Sequence, residues 1–178
     1  MTAVSDVSHL PPLGGHTRTE VGRELEATLL ELVDLSLLGK QLQWSLSGPL
    51  VPVLHRHFDE LVESWRELAN KAAERAMAIG YWPDGQADAV AARDEHAVVA
   101  PGPVEDQAAV SLLAQFLAAV NERTRRRLSR LGALDVVSQQ VLIEVVRERE
   151  QQLWMSRAQL PPGSSSHQGA REVRRERR

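Results

Sequence analysis

Six polar residues recur along one stretch of the chain at helical spacing: His55, Asp59, Glu63, Glu67, Asn70 and Glu74. Steps of three and four residues return a side chain to nearly the same face of an α-helix. His55 and Asp59 stand at i, i+4, and an imidazole beside a carboxylate suits divalent iron, manganese or zinc. A run of acids is also the composition of a solvated helix face, so the stripe alone leaves both readings open. Distance restricts the metal reading. Asp59 and Glu74 are 15 residues apart, about 22 Å along one helix, too far to share an ion within one chain. Two copies of the helix crossing antiparallel about a two-fold axis would set His55 and Asp59 of one chain beside Glu74 of the other. A metal site here is therefore expected between subunits. Gln43, Trp44 and Ser45 lie at the end of the preceding helix, where an antiparallel neighbour would bring them near the stripe.

The elements that must position these residues are legible from the apolar pattern. Residues 1–16 are aperiodic and contain Pro, Gly and Ser, so they read as a flexible N-terminal arm. His9 and His16 within it are too isolated to argue for a metal. Thr17 and Glu20 form a T-x-x-E capping box at the start of a helix. Val21, Leu25, Leu29, Val33 and Leu37 then recur every fourth residue, flanked by Leu30, Leu38 and Leu42, as far as Leu46 before Ser47-Gly48-Pro49. A second helix starts at about Pro52 and keeps Leu54, Phe58, Leu61, Val62, Trp65, Leu68, Ala72, Ala76 and Ile79 on one side up to Gly80. A linker opening on Trp82-Pro83-Asp84-Gly85 runs to Pro103, with one short helix expected around Ala87 to Ala92. A third helix spans about Pro103 to Leu131 and a fourth about Asp135 to Leu160, stopped by Pro161-Pro162. No strand pattern is evident. Trp65 and Trp154 are expected to pack between helices, and His57 to be a surface residue. Two short connections and a long middle one define an all-α, four-helix bundle with a long crossover, the ferritin-like arrangement, over residues 17–160.

The chain has 178 residues, no Cys and a net charge of −3. Thiolate metal sites, disulfides and thiol catalysis are excluded, no apolar run is long enough for a membrane span, and the N-terminus lacks a secretory pattern. A cytoplasmic protein is expected. Charge is unevenly distributed: residues 161–178 carry +3, leaving −6 on the preceding 160 residues. An acidic body with a basic tail indicates two electrostatic tasks. Arg125, Arg126, Arg127 and Arg130 lie in the last turns of the third helix, where they complement the helix dipole. The tail arginines Arg171, Arg174, Arg175, Arg177 and Arg178 follow a Ser-rich lead and are the candidate DNA-binding residues.

Three segments carry a family resemblance. They are Lys40-Gln41-Leu42-Gln43-Trp44-Ser45-Leu46-Ser47-Gly48-Pro49, Val53-Leu54-His55-Arg56-His57-Phe58-Asp59-Glu60 and Ala73-Glu74-Arg75-Ala76-Met77-Ala78-Ile79-Gly80. Together with Pro83-Asp84-Gly85, and Asp135-Val136-Val137-Ser138-Gln139 through Leu153-Trp154, they resemble the Dps family, the miniature ferritins or DNA-binding proteins from starved cells, over about residues 20–160. The resemblance implies a hollow homo-dodecamer that oxidises Fe(II) with peroxide at intersubunit sites, stores ferric iron inside, and in many members binds DNA through mobile charged tails. It also implies a cytoplasmic, nucleoid-associated setting.

The resemblance assigns His55, Asp59 and Glu74 as catalytic metal ligands. It also exposes two departures. A family histidine immediately before the tryptophan is here Gln43, and a family aspartate four residues before the glutamate is here Asn70. Neutral amides bind Fe(II) more weakly than imidazole or carboxylate. Gln140 similarly stands where an acid is expected on the iron-entry route, with Asp135, Glu144 and Glu148 close by in sequence. One reading is a weakened ferroxidase, with Glu63, Glu67, Gln43 or Asn70 supplementing the three retained ligands and Trp44 as the aromatic near the site. The other is a shell without iron chemistry that compacts DNA, or a subunit completed by a more competent partner in a mixed assembly.

Overall fold

A computed structural model describes residues 10–93 and 98–160 of the chain. Its elements are α1 (Gly15–Ser45), β1 (Leu46–Ser47), α2 (Val51–Ala78), α3 (Ala87–Ala91), β2 (Val104–Glu105), α4 (Asp106–Leu131) and α5 (Val136–Ala158). The expected arm loses its last residues to structure: α1 begins at Gly15, and Leu13 packs against an apolar cluster that includes Val21, Leu25 and Ile79. The expected Thr17–Glu20 capping box does not form, because Thr17 already lies inside the helix and Gly14 is the cap without a side-chain bond.

Ion pairs and hydrogen bonds between helices set their directions. Gln43 meets His55 and Glu26 meets Tyr81, so α1 and α2 are antiparallel. Glu24 pairs with Arg130 and Glu31 with Arg123, so α1 and α4 are antiparallel as well. It follows that α2 and α4 run the same way, and the chain must travel the length of the bundle between them. Residues 79–105 make that journey. At its end the crossover is tied down by a feature the apolar pattern does not show: β1 and β2 pair in parallel, Leu46 with Val104 and Ser47 with Glu105. Strands of two residues are too short to produce an alternation. At the turn after β1, Gly48 has φ of 124°, and a Cβ there would lie 2.7 Å from Oδ2 of Asp106, which accepts the Leu50 amide. The turn needs glycine on both counts.

Trp65 is the largest fully buried side chain, with its indole N–H donated to Gln152 at 2.7 Å. Gly39 of α1 lies against its ring, and a Cβ at that position would come within 2.6 Å of it, so the two helices approach closely there. The α2 residues expected to be buried are buried. On α1 the burial follows Leu32, Leu35, Leu38 and Leu42, while Leu37 is 59% exposed. Each four-residue step overshoots a 3.6-residue turn by about 40°, so a strict i+4 series leaves the core after a few turns. Trp154, expected between helices, is 68% exposed in the single chain.

The apolar core has two parts. Along α1 and α4 polar residues intervene, among them Thr28, Glu31, Asn121, Thr124 and Arg127. Glu31 has no exposed side-chain surface and pairs with Arg93, Arg123 and Arg127. Burial alone would raise its carboxyl, but Arg127 and Arg123 outweigh that and hold it below the ordinary range.

Asp135 caps α5 through the Val137 and Ser138 amides and pairs with Arg75 of α2 at 2.8 Å. Burial would raise its carboxyl; bonds from Ser138 and Arg75 prevail and lower it. A carboxyl depressed in the fold stabilises at pH values above its unfolded pKa, and that contribution disappears as pH falls through the lowered folded value. Asp135→Ala should therefore cost about 2 kcal/mol near neutrality, roughly 5 °C in Tm. The gap to the parent protein should close in melting curves taken progressively below about pH 4.

Candidate functional site

The α1–α2 hairpin brings the end of one helix against the start of the other, and with it Gln43 and Lys40 against His55 and Asp59. His55 Nδ1 and Asp59 Oδ2 are 3.9 Å apart on the first turns of α2, with about half of each side chain exposed. Gln43 is buried beneath them. Its Nε2 donates to the carbonyl of His55 at 2.7 Å and faces His55 Nδ1 at 3.3 Å. Its Oε1 accepts from Lys40 Nζ at 2.9 Å, and the same ammonium pairs with Asp59 Oδ1. Lys40, followed by Gln43, holds the Asp59 carboxyl below its ordinary range.

This arrangement has a chemical consequence at the imidazole. An amide nitrogen only donates, so the contact of Gln43 Nε2 with His55 Nδ1 requires the ring tautomer in which Nδ1 accepts and Nε2 carries the hydrogen. Neither ring nitrogen then offers a free lone pair. A cation entering here must turn the Gln43 amide aside or move the ring proton, and must displace the Lys40 ammonium from Asp59. The donor set accommodates a divalent ion, but less readily than one built with a second imidazole.

The remaining stripe residues lie farther along α2. Glu63, Glu67, Asn70 and Glu74 are all exposed, and Asn70 Nδ2 donates to Glu74 Oε1 at 2.8 Å. Asn70 thus occupies one oxygen of Glu74 where a carboxylate would have added a negative charge. Among the described residues, no three His, Asp or Glu side chains of one chain converge as a metal site. His55 and Asp59 are brought together, Gln43 joins them, and Glu74 is kept apart, as its distance along the helix requires. Trp44 is 72% exposed beside this cluster. Lys40 is the residue that the polar pattern missed. It lies on α1, at i−3 from Gln43, a spacing that would have placed it on the same face.

His57 also differs from its expected surface role: it is half-buried, next to Phe58, with Nε2 buried and unpartnered. His16 pairs with Glu20 at 3.4 Å on the outside of α1, and His9 lies outside the described residues. The arginines closing α4 are engaged with carboxylates: Arg125 with Glu150, Arg126 with Glu122, Arg127 with Glu31, and Arg130 with Glu24. Arg171, Arg174, Arg175, Arg177 and Arg178 lie outside the described residues. No described helix is long and apolar enough to cross a membrane.

A ferritin-like domain model matches residues 23–161. The chain is 31% identical over 165 residues to the DNA protection during starvation protein of Mycolicibacterium smegmatis, covering 90% of this chain and 88% of that one. It is 28% identical over 149 residues to DNA protection during starvation protein 2 of Deinococcus radiodurans, covering 84% of this chain but only 62% of the relative's length. Among solved structures, Mycobacterium smegmatis Dps matches with a TM-score of 0.83 at 29% identity, over 92% of this chain and 95% of that one.

The geometry predicts how the cluster responds to substitution. Gln43→His supplies a second imidazole and removes the amide that holds Nδ1, and should raise affinity for Co(II), a spectroscopic stand-in for Fe(II), by about tenfold or more. Lys40→Met should raise it less, by removing a competing cation only. Visible absorption of bound Co(II) under iron-free conditions reads both, and unchanged affinity in Gln43→His would contradict this account of the site.

Proposed function

The chain belongs to the Dps family of ferritin-like proteins, and from that premise we propose that it forms a DNA-protecting shell that takes up Fe(II) at a weakened intersubunit ferroxidase site. The carrying observation is the His55–Asp59 pair, which is present and half-exposed but held by Gln43 and Lys40. In a two-fold contact of α2 with a second copy, Glu74 of that copy would complete the pair. His55, Asp59 and Glu74 would then hold Fe(II) as substrate. Glu63 and Glu67, on the same face, would supply the acid that Asn70 no longer provides. A peroxide molecule takes one electron from each of two ferrous ions and, with two protons, leaves as two waters. Removing Fe(II) and peroxide together spares nearby DNA from radical damage, and the confined interior would retain the ferric product as stored iron. A cytoplasmic, nucleoid-associated homo-dodecamer fits this reading.

DNA contact falls in this proposal to the C-terminal tail, since the body is acidic and the α4 arginines are already paired. Arg171, Arg174, Arg175, Arg177 and Arg178 on one tail would bind phosphate weakly, and many tails on one particle would add through effective concentration.

The occupied state of the His55–Asp59 cluster also favours a second reading, in which the shell packs DNA without iron chemistry or is completed by a different subunit. Anaerobic loading of the assembled protein with Fe(II), followed by peroxide, separates the two. The first reading expects oxidation faster than in buffer, lost in His55→Ala, and about tenfold slower than in Gln43→His. Oxidation no faster than in buffer, from an intact particle, would transfer the function to DNA packing or a mixed assembly. In gel-shift assays, removing residues 163–178 should abolish a salt-sensitive DNA shift; an unchanged shift would remove the tail from the proposal.

A further inference from the structure

A cation on the polar stripe of α2 takes no part in the ion pairs of the single chain. Arg66 is exposed and stands three residues after Glu63 and four before Asn70, on the face that begins at His55. Glu63 and Glu67 beside it are exposed as well. Among the described residues, none of these three side chains makes an ion pair or a hydrogen bond. Lys71, the other cation close to Glu67, is committed to Glu144 of α5. Pressed against a second copy of itself, this stretch of α2 would crowd Glu63 and Glu67 of both chains around one axis. Like charges facing each other across an interface oppose association, so the contact needs a cation at that place.

The register that the metal site requires puts one there. The argument rests on the reading above, in which Glu74 of one copy lies beside His55 and Asp59 of the other. In two antiparallel helices, equal steps toward the two-fold axis from either side keep the two chains level. Eight residues back from Glu74 along one chain is Arg66, and eight forward from His55 and Asp59 along the other are Glu63 and Glu67. The contact that brings Glu74 to the His55–Asp59 pair therefore brings Arg66 to Glu63 and Glu67, about 12 Å nearer the axis. Crossing helices approach most closely at their crossing point, which makes this the tightest part of the contact.

We propose that Arg66 of each protomer inserts between Glu63 and Glu67 of a second copy of this chain, and that the two pairings together set the two-fold register on which the metal site depends. A planar guanidinium with five donors suits two carboxylates one helical turn apart, where an ammonium would serve only as a point charge. The arrangement is self-complementary, as a two-fold contact requires: each copy gives one guanidinium and receives one. A metal ion that draws on Glu63 or Glu67 then competes with the partner's arginine, as one that draws on Asp59 competes with Lys40. Arg66 touches neither iron nor peroxide in this account, and is a positioning residue.

The test is complementation between two faulty full-length chains, read in metal-free buffer. Arg66→Glu alone sets like charge against like charge at every such contact, and so does Glu63→Arg combined with Glu67→Arg. Each should raise the protein concentration needed for assembly by about a hundredfold in a sedimentation dilution series at low salt. Mixed in equal amounts, the two restore opposite charges at both halves of the contact, and assembly should return to within about threefold of the parent protein. A fault confined to one chain cannot be repaired by another chain, so rescue separates an intersubunit pairing from a local role. Arg66→Lys keeps the charge without the fork and should fall between the parent and Arg66→Glu. A charge-reversed variant that assembles as tightly as the parent, or a mixture that assembles no better than its components, would overturn the proposal. Since no iron is present, an absence of Fe(II) oxidation in the parent leaves this result untouched. Conversely, failed complementation beside oxidation that depends on His55 would strike the Arg66 pairing and spare the proposed function.

Discussion

Two separate parts of the chain converge on the carboxylate of Glu31, which α1 carries. A fully buried carboxylate is tolerated only if charged donors reach it, and leaving it bare would cost several kcal/mol. The donors come from the crossover, through Arg93, and from α4, through Arg123 and Arg127. Burying Glu31 therefore fixes the height of α4 against α1 and pulls the crossover onto the bundle. Arg93 reinforces this by pairing with Asp34, one turn farther along α1. A parallel relation between α2 and α4 would otherwise leave a long connection loosely specified. Here it is held by ion pairs near its middle and by the β1–β2 pairing at its end.

The candidate site depends on a different contact, the close approach of α1 to α2 at Gly39 and Trp65. That approach sets the register of the hairpin, and the register decides that Lys40 and Gln43 sit over Asp59 and His55. The amide at position 43 is consequently more than a weaker ligand. By taking His55 Nδ1 as an acceptor it assigns the ring proton to Nε2, which reduces the ligand character of a histidine that is itself retained. Asn70 acts similarly on Glu74, engaging an oxygen it does not replace.

Charge is used economically elsewhere. The arginines of α4, a conspicuous basic run in the sequence, are spent on Glu24, Glu31, Glu122 and Glu150. Some of these pairs are exposed and worth little individually, yet each of these guanidinium groups already has a carboxylate within ion-pair distance. The buried exception is Arg149, whose partners are a hydroxyl and a carbonyl.

Helix identity, order and approximate ends were readable in the sequence because a helix buries one stripe, and a stripe at 3.6-residue spacing is a local property of the chain. The same locality placed His55 and Asp59 together and kept Glu74 away, through rise per residue alone. Likeness of the quoted segments to a family supplied the expectation of iron, which periodicity could not. What the sequence could not show are relations between residues far apart along it. The Lys40–Asp59 pair, the contact of Gln43 with the His55 ring, the convergence on Glu31 and the isolation of Arg149 each depend on which helices meet and at what height. Two-residue strands carry no period, and the exposure of Trp154 and Leu37 depends on which faces the neighbouring helices cover. The sequence by itself determined the helices and the types of donor on each face. The tertiary structure decided which donors are already engaged, because occupancy of a lone pair or a charge is settled by a partner in space and not by a neighbour in the chain.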